Sequence, residues 1–164
     1  MSMFENDQYR WRETYFVLFD SSKRPTLKKL HQKLASVNKR FAFANARADE
    51  RGAFESITVL APDDFAAMDV CYLGGEEVVE QAASMVEEMM RTECRPEDRA
   101  KLERLKRCDG RFDVLHFEQI TALDEEDEDE GDEMIDPGAL LTVLDALASL
   151  TDGIAVDPQA GALL

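Results

Sequence analysis

The sequence contains no long hydrophobic run, and its longest uninterrupted apolar stretches, such as residues 15–19, span only a few positions. A membrane-spanning helix needs ~20 apolar residues, so we do not expect a transmembrane protein. The first seven residues also lack a basic segment that leads into an apolar stretch, and we therefore predict no signal peptide.

Cysteine and histidine are scarce, with three cysteines at positions 71, 94 and 108 and two histidines at positions 31 and 116. An odd number of cysteines does not match a secreted disulfide framework, so we expect reduced thiols and a cytoplasmic location. Structural zinc sites need closely spaced cysteine or histidine pairs, and this sequence has none. We therefore assign no metal-ligating, cofactor-binding or catalytic residue.

Positive charge is also scarce, because 19 Lys and Arg stand against 35 Asp and Glu, which gives a net charge of -16. Such a balance argues against non-specific nucleic-acid binding, which needs clustered cations to displace counterions from phosphates. The charge is unevenly placed, since residues 1–51 carry a net charge of +5 and residues 52–164 a net charge of -21. The two parts of the chain therefore have opposite electrostatic character.

The most acidic segment is residues 124–133, DEEDEDEGDE, in which nine of ten residues are acidic. Like charges repel and nothing apolar is available to bury, so we predict a disordered acidic loop. It does not match a calcium-binding loop, because aligning Gly131 with the invariant glycine puts Pro137 where a bidentate Glu is needed. Diffuse association with divalent cations remains open.

Hydrophobic residues make up 45% of the chain, which is enough for a core of one domain. We predict a loose lead-in over residues 1–13 and a single α+β domain over residues 14–164. Residues 14–19 are β-branched and aromatic, as in a central strand. Apolar spacing and turn residues predict, in order, a helix at 27–37, a hairpin within 41–60, a strand at 68–73, helices beginning at 76 and 96, a strand at 112–117, a helix that starts at residues 136–137 and extends to 150, and a strand at 154–156.

This order of elements predicts a split βαβ plait, as in ferredoxin-like folds. Its helices would cover one face of an antiparallel sheet, which the C-terminal helix and strand would extend. The ending LASLTDGIAVDPQAG, residues 147–161, resembles the tail of several groups of uncharacterised bacterial proteins, in which a helix leads to a short strand and a D-P-Q-x-G turn. The resemblance implies a ferredoxin-like, ACT-like α+β plait, and it carries over no catalytic residue.

A few residues stand out as candidates for chemistry. His116 alternates with apolar neighbours on a predicted strand, and Asp69 interrupts an apolar stretch, so Asp69 must lie on an exposed face or be paired. We interpret Cys71 as an inert core thiol. The glycines at 74–75 precede a helix, as in phosphate loops, but the acids at 76–77 would repel an anion there.

Two further groups are interpreted as structural. Asp63 and Asp64 lie beside a proline and are predicted to form a turn, because aspartate side chains bond the local backbone. Met85, Met89 and Met90 are predicted to fill the core, with an adaptable partner groove as the alternative.

Three functional hypotheses remain open. The leading one is a non-enzymatic protein-interaction or oligomerisation module, with a homodimer or another protein as its partner. The second is a small-ligand regulatory domain of the ACT-like kind, for which we expect an enclosed pocket with a few polar groups. The third is an enzyme with a site around His116 and nearby acids, for which we expect a perturbed titratable group in a cleft.

The acidic loop yields the first testable prediction. Replacing residues 124–133 by a few glycines should leave the fold intact, because loop-closure entropy changes slowly with length and the cost should be ~1 kcal/mol or less. A thermal melt of the shortened chain should stay cooperative and near the parent temperature. Loss of folding would show that the acids hold part of the structure together.

Overall fold

A computed structural model describes residues 7–91, 95–120 and 138–164. The acidic loop, Cys94 and the predicted helix start at residues 136–137 lie outside the described residues. The strands are β1 (Tyr9–Phe19), β2 (Ala42–Ala48), β3 (Phe54–Ala61), β4 (Ala66–Gly74), β5 (Gly110–Gln119), β6 (Ile154–Asp157) and β7 (Ala162–Leu163). The helices are α1 (Leu27–Val37), α2 (Glu76–Arg91), α3 (Pro96–Leu105) and α4 (Gly138–Thr151).

The described strands form one seven-stranded sheet in the order β2-β3-β4-β5-β1-β6-β7. Every neighbouring pair is antiparallel, which confirms the predicted α+β class with an antiparallel sheet. The first strand, β1, lies between β5 and β6, so its two partners both come from the C-terminal half of the chain. The final helix and strand extend the sheet beyond β1, as predicted.

The last three residues of β1 are buried on both faces of the sheet, because their side chains alternate between two cores. Val17 and Phe19 join the larger core with residues of α1 and α4, and we call this side the α1/α4 face. Leu18 joins a second core with residues of α2 and α3, on the opposite side, which we call the α2/α3 face. The helices therefore cover two faces of the sheet.

This two-sided arrangement corrects the prediction that the helices cover one face. The sequence predicts the helix beginning at Glu76 beside α1, whereas it packs on the opposite side of the sheet through Val78, Ala82 and Val86. An amphipathic stripe indicates which side of a helix is buried, but it carries no information about which face of the sheet receives it. Gly75, whose φ is 110°, forms the turn through which the chain passes from β4 to α2 on that face.

The strand β1 begins at Tyr9, within the segment predicted to be a loose lead-in. Residues 9–13 pair with residues 116–119 of β5, and the ladder is interrupted by a bulge at Arg12. The guanidinium of Arg10 donates a hydrogen bond to the Glu118 carboxylate at 2.9 Å. Charged side chains at the rim of a sheet hide the apolar alternation by which a strand is predicted, so the early start was missed.

The first turn of α4 is held by a residue far away in the sequence. The Asp64 carboxylate accepts a hydrogen bond from the backbone N–H of Ala139 at 2.9 Å, which satisfies one of the free donors of a helix start. The short turn at Pro62–Asp64 connects β3 to β4, as predicted, so this turn also fixes where α4 begins.

Within the described residues, no helix has the length and hydrophobicity needed to cross a bilayer.

The burial of α4 gives a direct comparison of three substitutions. Leu144→Asp places an unpaired charge in the larger core and should cost more than ~4 kcal/mol of unfolding free energy. His116→Ala should cost less, about 1–3 kcal/mol. The control Leu141→Asp introduces the same charge on the exposed side of the same helix, where the residue is 51% exposed, and should be close to neutral. Urea denaturation of the three variants tests this order, and a larger loss for His116→Ala than for Leu144→Asp would contradict it.

Candidate functional site

Among the described residues, part of the α2/α3 face carries no helix, and we call it the open sheet surface. It consists of three rows of cross-strand neighbours that run from β2 toward β1. The first row is Arg47, Ser56, Cys71 and Asp113. The middle row is Ala44, Thr58, Asp69, Leu115 and Thr14, and the last row is Ala42, Leu60, Ala67, Phe117 and Trp11.

The apolar side chains of the open sheet surface form a small cluster of their own. Ala67 and Phe117 are buried, and Tyr9, Leu60 and Leu115 pack around them while remaining partly exposed. Trp11 lies beside Phe117 in the last row and is 41% exposed. Within the described part of the chain, this cluster contains only strand residues, and its partly exposed apolar surface comes from Tyr9, Leu60 and Leu115, whereas Ala67 and Phe117 are 0% exposed.

A groove of about 300 Å³ crosses the polar part of this surface between β2 and β5. Asp69 lies in it and accepts a hydrogen bond from the Thr58 hydroxyl at 2.6 Å. Asp69 therefore fulfils both conditions predicted for it, because it lies on a partly exposed face and it is paired. Thr58 is almost fully buried, and its hydroxyl provides the Asp69 carboxylate with a hydrogen-bond donor.

Cys71 lines the same groove, and its chemistry is that of an unreactive thiol. Burial raises the pKa of the Cys71 thiol, and the nearby carboxylates of Asp69 and Asp113 raise it further. A thiol with a raised pKa is protonated at neutral pH and is a poor nucleophile. The structure thus supports the prediction that Cys71 is inert, although the residue is half-buried on a groove rather than in the core.

A second groove, of about 490 Å³, lies where α2 stands over the sheet. Arg111 is at its floor, where the guanidinium donates a hydrogen bond to the Asp113 carboxylate at 2.7 Å and stacks over the ring of Phe16 at 4.2 Å. A further N–H of Arg111 bonds to the side-chain oxygen of Gln81. Burial raises the pKa of Asp113, and the adjacent guanidinium counteracts this by lowering it.

His116 lies on the other side of the sheet from Asp69 and Cys71. It is opposite Met68 of β4, on the α1/α4 face, and only 1% of its surface is exposed. Its Nδ1 is 3.1 Å from a carboxylate oxygen of Glu13, and its Nε2 is buried with no hydrogen-bond partner among the described residues. The sheet therefore separates the histidine from the two strand residues singled out with it, and neither groove includes it.

The other residues singled out from the sequence have structural positions. His31 packs its ring against Phe43 at 4.5 Å on the surface of α1. Met89 is buried and Met85 is partly buried in the second core, which confirms core filling for these two, whereas Met90 is 38% exposed. Among the described residues, no group of His, Cys, Asp and Glu is arranged to hold a metal ion.

The sequence pointed to Asp69 but not to the residues that surround it. Arg47 and Leu115 line the same groove as Asp69 only because the strand order is β2-β3-β4-β5, and Trp11 lies at the other end of the open sheet surface because β1 follows β5. Their alternation along each strand was the available signal, but it could not be interpreted without knowing which face α2 covers.

Comparisons with known proteins add no further assignment. No protein-family model matches the chain, and no curated protein or solved structure matches it either. Functional inference for this chain therefore rests on the geometry of the two grooves and of the open sheet surface.

The contact between Asp69 and Cys71 can be tested by alkylation. Asp69→Asn removes one charge that raises the pKa of Cys71, so the thiolate fraction near pH 8 and the alkylation rate should increase by less than ~10-fold, because burial is the larger cause. Cys108, whose pKa burial raises to about 11, is an internal reference that should not change. Mass spectrometry of the iodoacetamide-treated protein measures both sites. An unchanged rate at Cys71, or an equal increase in an Asp145→Asn control on α4, would contradict the geometry.

Proposed function

We propose that the core of this fold is a ferredoxin-like plait with insertions. Its six elements would be β1, α1, β4, β5, α4 and β6, with the strands in the spatial order β6-β1-β5-β4. The alternation of strand directions and the packing of α1 against α4 in one core support this interpretation. The hairpin β2-β3 and the pair α2-α3 would then be insertions before and after β4.

We further propose that the protein is a non-enzymatic oligomerisation module that self-associates through the open sheet surface. The observation that carries this proposal is the cluster of partly exposed apolar residues around Phe117, beside the exposed Trp11. Partly exposed apolar side chains such as Tyr9, Leu60 and Leu115 gain free energy when a second copy covers them. The proposal retains the cytoplasmic location predicted from the cysteines, since Cys71 and Cys108 are free thiols.

The edges of the sheet are less suited to self-association than this surface. The ladder between β2 and β3 is irregular on both sides of Arg47, and Asn45 has a positive φ of 53°. Such irregularities disrupt the row of backbone donors and acceptors that a second strand would need. At the opposite edge, β7 has only two residues.

The size of the surface sets the expected strength of the association. Ten positions in the middle and last rows, at ~4.8 Å between strands and ~6.8 Å between rows, span at most roughly 300–400 Å² per copy, because Thr58, Ala67 and Phe117 among them are already buried. Stable complexes bury ~800 Å² per partner, so we expect a weak, concentration-dependent dimer. Each copy carries a net charge of -16, so salt should strengthen the association by screening this repulsion.

The ligand-binding hypothesis is favoured by one observation, the groove of about 490 Å³ with the buried Arg111 at its floor. An ACT-like domain would place its ligand at a dimer edge, whereas this groove lies between α2 and the sheet. A thermal-melt screen with amino acids tests this second candidate. A rise in melting temperature that Arg111→Lys abolishes would favour it over self-association alone.

Self-association predicts a change at Trp11, the single tryptophan of the chain. Between about 10 µM and about 1 mM protein, the sedimentation coefficient should rise while acrylamide quenching of Trp11 falls, because the second copy shields the indole. Leu115→Asp places a charge in the open sheet surface and should keep the protein monomeric. Leu141→Asp, on the exposed side of α4, is the matched control and should behave as the parent chain. A monomer over the whole range, or equal effects of the two variants, would refute the proposed function.

A further inference from the structure

The groove beside α2 has a wall of evenly spaced polar side chains. Glu80, Ser84 and Glu88 line it at intervals of four residues along one side of the helix. At a rise of 1.5 Å per residue, the two glutamates are ~12 Å apart along the helix axis. The apolar side chains of the groove are Phe16 and Leu18 of β1, Met85 of α2 and Pro158 after β6, and the polar Gln81 and the buried Arg111 also line it.

The charge in this groove is unbalanced. Arg111, the basic residue among its described lining residues, is paired with Asp113 at 2.7 Å and is therefore compensated. Glu80 and Glu88 are exposed, and neither makes a salt bridge with another described residue. Two uncompensated carboxylates beside these apolar side chains favour a ligand that brings two positive charges and apolar side chains together.

We propose that this groove docks a basic, extended segment of another protein. In an extended chain, residues i and i+4 lie ~13 Å apart and point to the same side, which matches the spacing of Glu80 and Glu88. The segment that fits the groove has five consecutive residues. Its first and last residues are Lys or Arg, its second and fourth are apolar, and its third is a small polar residue opposite Ser84. The two basic side chains pair with the glutamates, and the apolar side chains contact Phe16, Met85 and Pro158.

The groove beside α2 is a different surface from the one proposed for self-association. Self-association between two acidic copies strengthens with salt, whereas pairing between Glu80, Glu88 and a basic segment weakens with salt. The two activities can therefore be separated in one salt titration, and either can fail without the other.

The experiment compares two fluorescent peptides of identical composition by anisotropy. The first contains Lys-Leu-Ser-Leu-Lys and the second contains the scrambled order Lys-Lys-Leu-Ser-Leu, so that only the spacing of the charges differs. We expect the first peptide to bind about tenfold more tightly at low salt and to lose this preference as salt increases. Equal binding of both peptides would overturn the proposal, because attraction to the net charge of the chain alone would explain it.

Two variants with the same net charge locate the binding site. Glu80→Lys with Glu88→Lys reverses both groove charges and should weaken binding of the first peptide at least about tenfold. Glu76→Lys with Glu87→Lys makes the same charge change on the same helix outside the groove, and it should weaken binding no more than about threefold. Glu80→Gln with Glu88→Gln, which preserves the helix, should give an intermediate loss even if the lysine variant folds poorly. Equal losses for the groove pair and the control pair, or no effect of the glutamine pair, would refute the site.

Discussion

The structure depends on the burial of the C-terminal part of β1, residues 17–19, on both of its faces. Val17 and Phe19 contribute to one core, and Leu18, between them, contributes to the other. Because successive side chains of a strand point to opposite faces, a single strand can join two cores only if helices pack on both sides of the sheet. This requirement is met by α1 and α4 on one side and by α2 and α3 on the other.

Several polar side chains inside the sheet contact a partner on the neighbouring strand, whereas the Nε2 of His116 has no hydrogen-bond partner among the described residues. Thr58 and Asp69 are directly opposite each other on β3 and β4, and the hydroxyl bonds to the carboxylate. Glu13 and His116 are opposite on β1 and β5, and they too are in contact. A buried polar group costs free energy unless it has a partner, so such pairs allow polar residues to remain within strands that are otherwise apolar.

Much of the secondary structure could be predicted from the sequence, because residues such as Leu30 and Leu34 mark one side of a helix. The start of β1 at Tyr9 was missed, since charged side chains obscure its alternation. The face covered by α2 was also missed, because no local pattern encodes it. For the candidate site, the apolar residues on either side of Asp69 in the sequence predicted that Asp69 would be exposed or paired. The proximity of Arg47 and Leu115 to Asp69 could not be predicted in this way, because it depends on the strand order.

The place of β1 in the sheet has a consequence for how the chain folds during synthesis. Its neighbours are β5 and β6, and the pair Tyr9 and Gln119 illustrates how far apart in sequence the partners are. A ribosome releases β1 long before either partner exists, so its apolar residues stay without a strand to pair with until Gly110–Gln119 has emerged. Contacts of such long sequence separation slow folding and expose the nascent chain to aggregation. The strand that contributes to both cores is thus synthesised long before the strands with which it pairs. Charged residues such as Arg10 and Glu13 within β1 help to keep this segment in solution until then.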